Sequence, residues 1–290
     1  MDQGLLAGLL SSTIEIAAPL FLVASIELLV QRSGMINLAV EGAMLLGAFS
    51  AYLAALYSGN PLIGVLLGVF SGIIISGVLA ILATNMRLDQ MVSGLSISII
   101  TIGLTAYLYR LFIGAGKPPQ LTTTLGDLGL LSIATFAMPL AIWLLLNRSR
   151  LGVLIRASGE DPERACRLGV RVSILRLYLL LIEGSLAGLS GALLSIGFSG
   201  LYMDNMTAGR GYIAVVLVIL SGWDPMKLLP AILAFSLLDA IQLRMQASGM
   251  IQIPYQLALA MPYIAAIIAL AIAGKGLRAP KSLATHESPC

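Results

Sequence analysis

Four carboxyl groups stand inside long apolar runs of the sequence, where a charge is costly. They belong to Glu15, Glu27, Glu183 and Asp239. At the centre of a lipid bilayer a charged side chain costs about 2.5–3.5 kcal/mol, so such residues usually face protein or a water-filled cavity. Glu27 lies near the end of its run and could instead reach the interface. We predict that Glu27, Glu183 and Asp239 border a polar path, with hydrogen bonding between helices as the alternative.

A further carboxyl group stands in SGMINLAVEG, residues 33–42, at the start of another apolar run. Asn37 can cap a helix that begins at Leu38 by accepting hydrogen bonds from its first N–H groups. Glu41 then lies one turn later, near the positive end of the helix dipole and on the same face as Asn37. The pattern fits a simple cap with a carboxylate that reaches the interface, or a helix that starts inside a membrane beside a solute path. We predict that Asn37 and Glu41 border such a path.

The sequence is poor in the side chains of common catalytic and metal sites. His286 is the only histidine, which excludes a His-based metal site and a Ser–His or Cys–His nucleophile. The nearest approach to a phosphate-binding loop, GAGK at 114–117, is followed by Pro118 and has Leu111 where the upstream glycine should be. We therefore predict no catalytic residue, no metal and no cofactor bound by this chain.

A compact charged segment, ASGEDPERACRLGVRVS, occupies residues 157–173. Its Asp161-Pro162 pair predicts a turn with Pro162 at the first helical position, and Gly169 suits the end of the short helix that follows. One interpretation is an interfacial helix on anionic lipid. Three acidic residues in four positions would be repelled by that surface, so the mixed charge favours a protein partner.

The stretch EGSLAGLSGA contains a small-residue pattern on one helix face, formed by Gly184, Gly188 and Gly191. Small residues allow two helix backbones to approach closely, and this packing holds helices together in lipid. We predict that these three glycines pack against another helix and have no direct role in binding a solute.

The elements that carry these residues must be membrane helices. The chain has 290 residues, of which 58% are hydrophobic and 11% charged, and its mean hydropathy is +0.96. Soluble domains are about one quarter charged, and apolar segments in lipid must be helical to satisfy their backbone. We predict an all-α polytopic protein with about 8–10 transmembrane helices, one or more of them broken or re-entrant. The predicted segments are 5–29, 38–57, 62–84, 91–113, 130–147, 174–199, 209–222, 227–246 and 255–274.

Basic residues set the predicted topology. Arginines are concentrated in residues 148–176, and the tail adds Lys275, Arg278 and Lys281. The positive-inside rule places both regions in the cytoplasm, and nine crossings then put the N-terminus outside. We therefore predict a membrane domain over residues 1–275, with a cytoplasmic loop at 148–173, and a cytoplasmic polar tail over residues 276–290. The loop is too short for a nucleotide-hydrolysing domain.

Four stretches together carry a family resemblance. SGMINLAVEGAMLLGAF, GEDPERACRLGV, SLAGLSGAL and GYIAVVLVILSGWDP follow one another in this order. They resemble the permease subunits of bacterial ABC importers for ribose, other simple sugars and nucleosides, and are most similar to nucleoside permeases served by a lipoprotein. The resemblance covers about residues 15–275. It implies a type II importer-like fold in the bacterial cytoplasmic membrane and a nucleoside or a simple sugar such as ribose as solute.

The resemblance also implies partners and coupling residues. A second permease subunit, often a different one, would complete the path, an external lipoprotein would deliver the solute, and partner ATPases would bind ATP-Mg. This chain would then be a non-catalytic subunit without a nucleic acid partner. The segment expected to seat in the ATPase cleft contains Gly159, Glu160, Asp161, Pro162, Arg164, Ala165, Arg167 and Gly169. Asp161 departs from the family, which often has Asn there.

The residues leave two other classes of function open. A proton-coupled secondary transporter or channel could use Glu183 and Asp239 as proton carriers and would need no ATPase. A membrane scaffold without transport would leave the polar residues in the spans unexplained. An enzyme that acts within the bilayer is the least favoured class, because no paired catalytic residues stand out.

Overall fold

The computed structural model describes residues 3–114, 116, 118–121, 134–247, 255–273, 276 and 278–285, with the backbone alone described at 3–7, 247, 255–259 and 273. Over this part of the chain the structure is helical and contains no strand, as predicted. The helices are α1 Gln3–Arg32, α2 Val40–Ser58, α3 Pro61–Ala80, α4 Gln90–Phe112, α5 Met138–Arg148, α6 Arg150–Glu160, α7 Pro162–Arg167, α8 Val172–Ala192, α9 Arg210–Leu220, α10 Pro225–Ala247 and α11 Tyr255–Ala273. The π-helical segments Ile81–Asn85 and Leu193–Ser199 extend α3 and α8.

Six helical stretches of the described chain are long and apolar enough to cross a membrane. They contain α1, α2, α3, α4, α8 and α10. A seventh candidate is the pair α5 and α6, which is bent by 82° at its break, and α9 is a shorter apolar helix. The predicted polytopic membrane fold with broken helices is thus confirmed. Part of the predicted segment 130–147 lies outside the described residues, and the helix found there begins at Met138.

Glycines mediate the closest packing, among α2, α3 and α8. A Cβ atom added at Gly47 would lie 2.6 Å from the Cα of Gly188, and one added at Gly72 would lie 2.8 Å from the same atom. Gly184 lies against Gly72, and Gly191 lies against the backbone of α2. The structure therefore places the three glycines of the small-residue pattern at helix contacts, where side chains would keep the backbones apart.

The outer faces of α3 and α4 are apolar. Leu66, Phe70, Ile99 and Ile100 are between 59% and 69% exposed. Large exposed apolar surfaces mark contacts with membranes or other proteins. Several polar and charged side chains, among them Glu27, Glu41 and Glu183, are in contrast buried between the helices, as expected of a bundle that is solvated by lipid.

The end of α1 fixes which loops share one side of the molecule. Nε and Nη2 of Arg32 donate to the carbonyl oxygen of Trp223, at 3.1 and 2.8 Å, and Gly159 packs against the Arg32 carbonyl. The turn between α9 and α10 and the end of α6 therefore lie beside the end of α1. Because a 30-residue helix is about 45 Å long, α1 begins on the opposite side.

Candidate functional site

The chain between α1 and α2 leaves the helical conformation at residues 33–39. Gly34 has a φ of +94°, a left-handed conformation that glycine adopts without strain. α2 begins at Val40, and the residue before it makes no side-chain cap. The prediction that Asn37 caps a helix beginning at Leu38 is therefore wrong, because the Asn37 side chain binds two other helices.

Three of the predicted path residues meet in one polar cluster. Nδ2 of Asn37 donates to Oε2 of Glu183 at 2.8 Å and to Oγ of Ser76 at 3.3 Å. Nε2 of Gln31 donates to Oε1 of Glu27 at 2.7 Å, and the carboxyl groups of Glu27 and Glu183 contact each other. We call this set of five residues the acid-pair cluster. It joins α1, α3, α8 and the non-helical residues 33–39, which we call the helix break.

The acid-pair cluster is completely buried. Glu27, Asn37 and Glu183 each have 0% exposed surface, so the alternative that Glu27 reaches the interface is wrong. The reason is that α1 continues past the predicted end of its apolar run. Nε1 of Trp223 then donates to Oε1 of Gln31 at 2.7 Å, which closes the cluster at that end.

The two carboxyl groups of the cluster need a proton between them. Oε2 of Glu27 and Oε1 of Glu183 are buried and have no hydrogen-bond donor. No ion pair reaches either carboxyl group within the described chain. Two adjacent carboxylates without a cation repel each other, and a shared proton removes both the repulsion and the unpaired acceptors. We therefore expect the pair to hold at least one proton.

The shared proton gives a first prediction. Glu27→Gln places an N–H donor where the proton would be and should leave the melting temperature within a few degrees of wild type. Glu27→Ala leaves Glu183 without this partner, which should lower the free energy of unfolding by about 1–3 kcal/mol. Thermal melting in detergent measures both effects, and infrared difference spectra should show a protonated carboxyl band that is absent from Glu27→Gln. Equal destabilisation by the two variants would contradict the shared proton.

Glu41 caps α9 and not its own helix. Its Oε1 accepts from Oγ1 of Thr207 at 2.6 Å and from the N–H of Gly209 at 2.8 Å, while its Oε2 accepts from the N–H of Gly211 at 2.7 Å. Glu41 is 1% exposed. A carboxylate at a helix N-terminus satisfies free N–H groups and is stabilised by the helix dipole. Glu41 therefore joins the start of α2 to the irregular segment before α9.

Asp239 lies beside the same segment, and its described contacts include neither Glu27 nor Glu183. Its Oδ2 is 3.4 Å from Nη2 of Arg210, in an ion pair whose side chains are 14% and 19% exposed. The structure thus divides the five predicted path residues into two groups. Glu27, Asn37 and Glu183 form the acid-pair cluster, and Glu41 and Asp239 hold the N-terminal end of α9.

The short helix predicted within residues 157–173, which we call the charged loop, is present as α7. Oδ1 of Asp161 accepts from the N–H of Arg164 at 2.9 Å and so caps this helix. Pro162 is the first helical residue, and Gly169, with a φ of +87°, follows the helix in a left-handed conformation. The turn chemistry of the sequence therefore predicts this element correctly.

Burial divides the predicted coupling residues into two sets. Gly159, Pro162 and Ala165 are buried against the rest of the protein, and Asp161 is half-buried. The exposed set comprises Glu160, Arg164, Arg167 and Gly169. The segment therefore buries its small and apolar residues and presents charged groups on its outer face.

Several residues that hydrogen-bond the predicted site residues were not predicted from the sequence. Gln31 follows Glu27 by one helical turn, and this i,i+4 spacing of two polar residues in an apolar helix could have revealed it. Thr207 is 166 residues from Glu41 and has no local signal. Arg176 belongs to the arginine-rich stretch that predicts topology, and its burial, with only 3% of its surface exposed, has no signal in the sequence.

Comparisons with known proteins agree with this architecture. A family model described as "Branched-chain amino acid transport system / permease component" matches residues 9–271. TsgC13 of Haloferax volcanii, named for a glucose ABC transporter, is 37% identical over 264 residues, which covers 83% of this chain and 78% of TsgC13. The guanosine ABC transporter permease protein NupQ of Bacillus subtilis is 28% identical over 292 residues, 92% of each chain. The nucleoside ABC transporter permease protein NupC of Lactococcus lactis is 28% identical over 278 residues, 87% of each chain.

Proposed function

Since the chain belongs to the family described as branched-chain amino acid transport system / permease component, we propose that it is the membrane subunit through which an ABC importer passes a nucleoside or a simple sugar such as ribose. The observation that carries this proposal is the similarity along most of the chain to permeases named for guanosine, nucleosides and glucose. All three are ABC permeases with hydroxylated solutes in their names.

Charge compensation inside the protein supports a neutral solute. The carboxyl groups of Glu27 and Glu183 contact each other, Glu41 accepts three hydrogen bonds, and Asp239 pairs with Arg210. A path that selects an ion is lined by uncompensated groups of one charge sign. Scattered hydrogen-bonding groups without such a ring suit hydroxyl groups and the edge of a base.

We place the path beside two irregular segments, residues 33–39 and 200–209. α9 has 11 residues and is about 17 Å long, whereas the apolar core of a bilayer is about 30 Å thick. The segment before α9 therefore has to enter the membrane to reach the helix. Irregular backbone at that depth is tolerated only where it is buried in protein or lines a cavity. In this proposal Asn37 and Glu41 border the path by holding these two segments in place.

The partners follow from the same proposal. In this proposal ATP-Mg is bound and hydrolysed by partner ATPases that bind residues 157–169. A second permease, identical or related, would form the other wall, and an external lipoprotein would deliver the solute. We propose that the complex lies in the cytoplasmic membrane with the C-terminus of this chain inside.

Reconstituted uptake tests the function. The permease is incorporated into liposomes with its proposed partners, an ATPase, a second permease and a lipoprotein, and uptake of labelled guanosine, ribose and glucose is measured. We expect ATP-dependent uptake of at least one of these solutes that persists when an uncoupler dissipates the proton gradient. Liposomes without ATP serve as the control. Uptake that collapses with the uncoupler and ignores ATP would indicate a proton-coupled transporter and contradict the proposal.

A further inference from the structure

Residues 278–285, which we call the tail segment, lie between the helix break and the charged loop. The sequence predicts a solvated polar tail. In the structure Pro280 is buried and Ser282 is only 3% exposed. A serine that is buried within a polar tail has to be held by specific hydrogen bonds, and the partners of Ser282 identify what the tail segment holds.

The tail segment binds the end of α6 directly. The N–H of Ser282 donates to the carbonyl oxygen of Gly159 at 2.9 Å. Its Oγ lies 2.8 Å from the same oxygen and 3.3 Å from the carbonyl oxygen of Ser158. These two carbonyls precede the exposed part of the coupling segment by only one or two residues. Movement of that segment would therefore pull on Ser282.

The same segment also binds the helix break. The N–H of Ala284 donates to the carbonyl oxygen of Gly34 at 3.1 Å. Nε2 of Gln90 lies 3.4 Å from the carbonyl oxygen of Thr285, and Oε1 of Gln90 accepts from the N–H of Ile36 at 3.0 Å. The tail segment is thus attached to Gly34 directly through Ala284, and to Ile36 through the side chain of Gln90, which also contacts Thr285.

Arg176 of α8 hydrogen-bonds the helix break, the end of α6 and the tail segment. Its Nε donates to the carbonyl oxygen of Ser33 at 3.0 Å, and its Nη2 donates to the carbonyl oxygen of Ser158 at 3.3 Å and to Oγ of Ser282 at 3.2 Å. Arg176 is 3% exposed. A buried guanidinium that binds three separate segments fixes their relative positions.

We propose that the tail segment couples the charged loop to the helix break, with Ser282 as the positioning residue. Gly159 already touches the backbone of Arg32, and both Arg176 and Oγ of Ser158 hydrogen-bond the carbonyl oxygen of Ser33. The hydrogen bonds of Ser282 and Ala284 resist separation as well. Through them a displacement of α6 in either direction would move residues 33–36. This inference rests on the proposed function, because it assumes that a partner ATPase moves the loop.

The test compares four variants in the reconstituted importer. Ser282→Ala removes the hydroxyl group and should lower the solute transported per ATP hydrolysed by about tenfold, the effect of losing one or two net hydrogen bonds. Ser282→Thr keeps the hydroxyl group and should retain most of the coupling. Lys281→Ala alters the exposed neighbouring side chain and should match wild type. Gln90→Leu, which loosens the other end of the link, should lower the same ratio.

Three outcomes would overturn the inference. The first is that Ser282→Ala and Gln90→Leu both transport as much solute per ATP hydrolysed as the wild type. Another is an equal loss in Ser282→Thr and Ser282→Ala, and the third is failure of these variants to assemble with the ATPase, since a purely structural role would explain it. A Glu160→Ala/Arg164→Ala variant in the same assay separates the two proposals. If the double variant lowers the ratio of transport to hydrolysis and the Ser282 and Gln90 variants do not, only the inference about the tail segment is wrong. If the double variant transports normally, the coupling role of the charged loop is wrong as well.

Discussion

Replacing Glu160 and Arg164 by Ala should nearly abolish solute uptake by the reconstituted importer while its ATPase subunits continue to hydrolyse ATP. Glu160 is the last residue of α6 and Arg164 lies in the adjacent helix α7, and both side chains are exposed. Truncating a charged partner in a protein interface costs about 2–5 kcal/mol, which corresponds to a loss of about 30-fold to several thousand-fold. The measurement is the ratio of solute transported to ATP hydrolysed.

Folding should be unaffected by this double substitution. Glu160 has an exposed side chain, and the Arg164–Asp161 ion pair, at 2.8 Å, is also exposed, with side chains 83% and 42% accessible. Such surface pairs contribute only about 0–1 kcal/mol. The inner face of the loop, formed by Gly159, Pro162 and Ala165, stays intact. The melting temperature in detergent should therefore match that of wild type.

Arg150→Ala is the matched control, since it removes an exposed charge at the opposite end of α6. It should transport at close to the wild-type rate. Full transport by the Glu160→Ala/Arg164→Ala variant would show that the ATPase does not depend on contacts with these two charged side chains. Loss of ATP hydrolysis together with loss of the assembled complex would point to docking as their role, and the lever interpretation would be wrong.

The spans could be predicted from the sequence because their limits coincide with changes in composition. The helix predicted at 91–113 is found as Gln90–Phe112, and the short segment predicted at 209–222 is found as Arg210–Leu220. The bend after α5 was not predicted. Ser149 adopts an extended conformation and its Oγ accepts from the N–H of Gly152 at 3.1 Å, so a new helix begins there. An isolated serine in an arginine-rich stretch is too weak a signal to predict such a turn.

The polar residues of the site could be recognised from the sequence, but their partners could not. An acid in an apolar run signals that it must be compensated, and Glu27, Glu41 and Glu183 were identified for this reason. Glu183 and Glu41 are compensated by residues that are 146 and 166 positions away, Asn37 and Thr207, whereas Gln31 lies only one helical turn from Glu27. The prediction that Asn37 and Glu41 lie on one helix face is wrong, because their i,i+4 spacing implies a shared face only if both residues are helical. Asn37 lies before α2, so the two side chains bind different groups.

The cap on α9 should make Glu41 one of the most sensitive positions for stability. Glu41→Ala leaves the N–H groups of Gly209 and Gly211 and the hydroxyl group of Thr207 without their acceptor. A buried donor that loses its acceptor costs about 1–3 kcal/mol, and since three donors lose theirs here, we expect the free energy of unfolding to fall by about 3 kcal/mol or more. Chemical or thermal unfolding in detergent, followed by circular dichroism, measures the change.

Two comparisons show whether the loss comes from the cap. Glu15→Ala removes an exposed carboxyl group of α1 and should change the melting temperature little. Gly211→Ala tests the cap from the other side, because its Cβ atom would lie 2.7 Å from the Cα of Glu41 and force α2 and α9 apart. Gly103→Ala, where an added Cβ meets nothing within 4 Å, is its control. If Glu41→Ala melts like Glu15→Ala, then the three hydrogen bonds to Glu41 do not hold α9 in place, and the segment before α9 needs another anchor within the membrane.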